Sequence, residues 1–132
     1  MEYIADRDTA KALSLLNRFY AEGKDMGALL DELACLTRDL MIMKTAPREG
    51  ITMLSGVAAD DEVSALTKQF SAGELTRMLS VIQKTAAGFT RSSSRRMDVE
   101  LCLVDLCQPE LTLDQEALNA RLTKLEDQIR SG

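Results

Sequence analysis

The sequence predicts an all-α fold: a single bundle of five to six helices, with an antiparallel N-terminal hairpin and a C-terminal heptad-patterned helix. Three observations carry this. Aromatic residues are only 4%, there is no Trp and just two Pro, while Leu, Ala and Met abound. The β-branched and aromatic runs that make strands are therefore missing. Apolar residues recur at helical spacing along most of the chain. Between the apolar stretches stand residues that start or stop helices, namely Asp8, Gly23, Asp25, Pro47 and Ser71. At 132 residues, 45% apolar and 28% charged, the chain fits one domain able to bury a core.

Taken in order, residues 1–7 are expected to be a ragged start. Asp8 or Asp6 caps a first helix to about Glu22 with Leu13, Leu16, Phe19 and Tyr20 on its core face. Gly23 stops it and Asp25 starts the next helix, so the two are antiparallel neighbours. The helix over 25–46 carries Met26, Leu29, Leu30, Leu33, Leu36, Leu40, Met41 and Met43 on one broad arc. Ala28, Cys35 and Ile42 recur every seven residues on nearly the opposite side, where a helix with one partner is polar. That second stripe marks an internal helix layer, a chance run of small residues, or a subunit interface. Pro47 ends this helix. In the irregular stretch 47–59, Ile51, Met53 and Leu54 are expected to fold back on the bundle as an apolar plug.

Asp60, Asp61 and Glu62 place acids at the positive end of a short helix through about Gln69. Ser71 with Glu74 is a capping-box pattern opening the helix over 72–89, whose stripe is Leu75, Met78, Leu79, Ile82, Ala86 and Phe89. After the turn Arg91-Ser92-Ser93-Ser94, apolar residues surround most of the helix over 95–107, which predicts a central, buried helix. Arg96 and Glu100 stand at i, i+4, placed for a structural ion pair. Gln108-Pro109-Glu110 breaks the chain, and Thr112 or Asp114 caps a last helix. Its Leu111, Leu118, Leu122, Leu125 and Ile129 are spaced as a short heptad seam. Leu118, Leu122, Leu125 and Ile129 join Ala28, Cys35 and Ile42 as candidate interface residues. The division expected is a core domain over 1–108 and an amphipathic helix over 109–132, in the same domain or starting a linker.

Composition narrows the functional classes. A net charge of −5 argues against a dedicated nucleic-acid binder, which presents a basic excess. With no His, the commonest general base and metal ligand is missing. Cys35, Cys102 and Cys107 lie in apolar helical segments with no metal-binding spacing, as reduced core thiols of a cytoplasmic protein do. No apolar run approaches the roughly 18 residues of a membrane span. Gly23-Lys24 lacks the rest of a phosphate-binding loop. Asp60/Asp61 and Asp98/Asp105 read as a helix start and a solvated face, and Ser92-Ser93-Ser94 has no base to activate it. Arg91, Arg95 and Arg96 form the one dense basic cluster, suited to pairing with this acidic chain or to contacting a phosphate or acidic partner. No catalytic, cofactor or metal residue is assigned.

The order of parts over residues 5–108 resembles a known family. A helical hairpin turns at Gly23-Lys24-Asp25, then come Leu36-Thr37-Arg38-Asp39-Leu40 and Lys44-Thr45-Ala46-Pro47, a Gly-containing loop and a Ser-capped helix. Arg96 and Glu100 follow on a helix ending in Leu106-Cys107. This is similar to the third domain of the bacterial DNA polymerase III gamma/tau subunit, the clamp-loader ATPase. Where the family has a proline before the Arg, this chain has Arg95. The resemblance implies a non-catalytic helical collar, through which gamma/tau protomers assemble with one another and with the delta and delta-prime subunits. The ring so formed loads the sliding clamp on DNA, so DNA contact is at most indirect. The family's ATP and zinc sites lie in domains outside these residues, and no cofactor is expected here. The competing reading is a helical adaptor or regulatory domain that dimerises through its C-terminal heptad helix.

Overall fold

The computed structural model describes residues 1–110 together with 125, 126, 128 and 129. The fold is all-α. Its helices are α1 (Glu2–Ala5), α2 (Thr9–Ala21), α3 (Met26–Thr45), α4 (Pro47–Gly50), α5 (Asp60–Thr67), α6 (Ala72–Ala87) and α7 (Arg95–Cys107). A 3₁₀ turn over Phe89–Arg91 joins α6 to α7.

The start of the chain is helical, not ragged. Ile4 of α1 is buried, and Met1 and Tyr3 pack beside it against the core. Sequence patterning misses this one-turn helix because its stop signal is unusual. Arg7, not Gly or Asn, takes the left-handed conformation at φ 56°. The Asp8 N–H donates to the Tyr3 carbonyl and the Arg7 N–H to that of Ile4, the two bonds of a Schellman ending. The same pair of bonds closes α2, where Gly23 at φ 83° occupies the left-handed position and Lys24 N–H reaches the Phe19 carbonyl. Asp25 then caps α3, its carboxylate accepting from the Gly27 N–H at 2.9 Å. Ser71 caps α6 by accepting from the Glu74 N–H at 3.1 Å.

The centre of the bundle is α3, which packs on α4, α5, α6 and α7. The sequence pointed to α7 for that place, and the structure corrects it. Val99, Cys102, Leu103, Leu106 and Cys107 are buried against α1, α2, α3 and α6, while Met97 and Leu101 face outward. The apolar residues of α7 do surround it, but the side bearing Met97 and Leu101 is covered by none of the described residues. Similarly, α6 buries Leu75, Met78 and Ile82, whereas Ala86 is exposed and Phe89 lies beyond the helix end.

Two short-range devices fix the stretch after α3. Pro47 opens α4, where its missing N–H is not needed. Gly50 then presses on α3 so closely that a Cβ there would lie 2.6 Å from Ile42 Cγ2. The expected plug is only one-third correct: Leu54 packs on the core, but Ile51 and Met53 are exposed. The loop is anchored through its backbone instead, so its side chains need not be buried. Pro109 and Glu110 are already helical, ahead of the expected caps. Thr112, Asp114, Leu111, Leu118 and Leu122 lie outside the described residues.

Candidate interaction surface

The anchor for the loop is the Leu36-Thr37-Arg38-Asp39-Leu40 segment of α3. Asp39 is fully buried, and its carboxylate accepts from the Ser55 Oγ–H at 2.6 Å and from the Ser55 N–H at 3.1 Å. Arg38 donates to the Met53 carbonyl at 2.8 Å and to Asp39 at 3.0 Å. Thr37, also buried, turns its hydroxyl onto the Leu33 carbonyl of its own helix at 2.8 Å. Polar residues inside a helical core are satisfied in this way or are costly. The segment therefore holds the α4–α5 loop in one conformation, with Ile51, Met53 and Val57 presented to solvent. Sequence reasoning assigned Asp39 no role. Its partner Ser55 is 16 residues away, and a single sequence contains no signal for that pairing.

The seven-residue stripe on α3 divides. Ala28 is exposed and Cys35 half-buried, while Ile42 is covered by Gly50 of α4. The three do not form one free face. At the other end of the chain, Leu125 and Ile129 are helical and exposed, Ile129 at 80%.

The basic cluster is also split by the fold. Arg96 Nη2 donates to Asn17 Oδ1 at 2.6 Å and its guanidinium covers the Tyr20 ring at 4.5 Å, which fastens α7 to α2. Its Nε lies 3.0 Å from Glu100 Oε1 without hydrogen-bond geometry, so this contact is coulombic. Arg95 stacks on Phe89 at 5.2 Å. Arg91 instead lines an open groove of about 770 Å³ between α6 and α7, with Lys84, Leu101 and Cys102 among its walls. Arg77 crosses the groove to Asp105, at 2.6 Å to the carboxylate and 2.9 Å to the carbonyl. Burial pushes the Cys102 thiol above its ordinary pKa, against a hydrogen bond from Thr85 that lowers it. Burial raises Cys107 in the same way. Both thiols are thus protonated core groups rather than nucleophiles. A second cavity, about 110 Å³ between α1, α2, α3 and α7, is walled by residues such as Leu16, Leu30 and Leu103. Apart from Tyr3 its lining side chains are apolar, with no convergent set of polar groups to orient a ligand.

Among the described residues no three His, Cys, Asp or Glu side chains converge on a metal position, and no helix is long and apolar enough to cross a membrane. What this geometry offers is surface: exposed apolar side chains on α7, on an anchored loop and at the C-terminal end. A family model described as DNA polymerase III subunits gamma and tau, domain III, matches residues 1–122. The chain belongs to this gamma/tau domain III family. The DNA polymerase III subunit tau of Bacillus subtilis (strain 168) is 30% identical over 104 residues, covering 78% of this chain and 18% of that protein. The chain thus spans about a fifth of the length of the curated relative it matches. No solved structure matches. The gamma/tau domain III match extends past α7 and past Glu110, so the family pattern includes part of the expected C-terminal helix.

Proposed function

We propose that this chain is the non-catalytic assembly domain of a clamp-loader subunit. It joins gamma/tau protomers to one another and to the delta and delta-prime subunits, in the cytoplasmic ring that places the sliding clamp on DNA. Membership of the gamma/tau domain III family over residues 1–122 is the observation that carries this reading. Met97 and Leu101, exposed one helical turn apart on α7, support it together with the exposed apolar residues of the α4–α5 loop, since neighbouring exposed apolar side chains mark interaction surface where single ones do not. The net charge of −5 fits a domain that touches protein rather than DNA. The test is binding of the 132-residue chain to itself and to delta and delta-prime by sedimentation. Concentration-dependent complexes are expected, and a strict monomer that binds neither subunit overturns the reading.

A second reading is favoured by the exposure of Leu125 and Ile129 on helical backbone: an adaptor that dimerises through its C-terminal heptad seam. Truncation before Pro109 separates the two. Association that survives truncation belongs to the bundle, and association that vanishes belongs to the seam.

A further inference from the structure

Two surfaces of this chain are complementary to each other and lie on different helices. The first is the α6–α7 groove. Leu101, 63% exposed, forms its apolar wall with Val81, and Lys84 and Arg91 stand on its lining. Neither cation has an ion-pair partner among the described residues, whereas Arg77 is engaged by Asp105. Asp98 offsets part of the charge, and three cations against two carboxylates leave the groove positive in an acidic chain. The second surface is the approach to α5. Val57 is exposed there and is followed by Asp60, Asp61 and Glu62, which have no ion-pair partner among the described residues. The clamp formed by Arg38 and Asp39 fixes the loop that precedes it. A docking segment ordered in advance loses less entropy on binding.

We propose that the acidic start of α5 and its anchored loop dock into the α6–α7 groove of a second copy of the chain, head to tail. This rests on the assembly reading above and names the surfaces that carry it. Each surface has an exposed apolar residue flanked by charges without an ion-pair partner among the described residues, Lys84 and Arg91 on one and Asp60, Asp61 and Glu62 on the other, the arrangement that steers and registers association. Because α5 packs on α3 while the groove lies between α6 and α7, the contact joins two different patches. Such a contact continues from copy to copy, the kind of contact from which a ring is built, and leaves no self-matched dimer.

Sedimentation of the 132-residue chain and two charge-reversed variants tests this. Lys84→Glu with Arg91→Glu, and Asp61→Lys with Glu62→Lys, should each weaken self-association by about tenfold or more. Mixed in equal amounts they should recover association, because each variant then offers the surface that the other has lost. Leu101→Ser should weaken association without changing charge, and circular dichroism checks that every variant is folded. Variants that associate like the parent overturn the surface pairing and leave the assembly reading standing. A mixture that stays dissociated overturns the head-to-tail arrangement. A parent chain that is strictly monomeric overturns this proposal, and binding to delta and delta-prime then decides the assembly reading separately.

Discussion

At the scale of single residues, Asp39 is the most consequential side chain in the molecule. Its buried carboxylate accepts from both Ser55 donors and lies beside Arg38. Asp39→Ala removes these bonds and frees the loop, at an expected cost of about 2–4 kcal/mol for charged hydrogen bonds lost in a buried place. Ser55→Ala removes only the hydroxyl and should cost about 1 kcal/mol. Hydrogen exchange over residues 51–57 should accelerate in both, more in the first, and an unchanged exchange rate would refute the clamp. The cysteines give a second prediction. Cys102 and Cys107 have folded pKa values above the ordinary thiol value, chiefly through burial. Below that value, about 8.5, both folded and unfolded thiols hold their protons and contribute no pH dependence. As pH rises above it the unfolded chain deprotonates first, so stability falls, by at most about 1.4 kcal/mol per pH unit for each thiol. Chemical denaturation between pH 8 and 10 should show this decline, with a shallower slope in Cys102→Ala. A slope equal in the variant and the parent would contradict the assignment. The sequence made the thiols legible as core groups, because free Cys in apolar helical runs is ordinarily buried. It left Asp39 silent, because nothing local says that a polar residue on a core face has a distant donor.

At the scale of elements, local chemistry decided what could be read. Caps and stops at Asp8, Gly23, Asp25 and Ser71 are each made within a few residues, and the structure places them as the sequence does. The missed α1 ends on Arg7, a residue whose type does not announce a left-handed turn. The misplaced centre has another cause: apolarity around most of α7 predicts burial nearly all round, yet Met97 and Leu101 are exposed. An apolar stripe left exposed and one that faces the core look alike in one dimension. The α3–α4 corner also depends on a contact that sequence does not reveal, the seat of Gly50 on Ile42. Gly50→Ala should therefore destabilise the fold by about 1–3 kcal/mol through overpacking. Adding Ile42→Ala should recover part of that loss, a coupling visible in a double-mutant cycle. Additive effects of the two substitutions would show that the corner is not packed in this way.

At the scale of the whole molecule, the described helices pack around α3, and apolar side chains of α7 and of the α4–α5 loop are left exposed. The fold class was legible because helical period, composition and capping all agreed. The surfaces were less so: the Ala28, Cys35 and Ile42 stripe was visible as a pattern, but α4 covers one end of it. The basic cluster of Arg91, Arg95 and Arg96 looked continuous, but folding turns Arg96 to α2, Arg95 to Phe89 and only Arg91 to the groove. Family membership then gives the exposed faces a context that geometry alone lacks. The most direct measurement is sedimentation velocity on the 132-residue chain, alone and with delta and delta-prime. The account predicts concentration-dependent self-association or complexes with those subunits that persist after truncation before Pro109. A chain that stays monomeric at high concentration and binds neither subunit would contradict it.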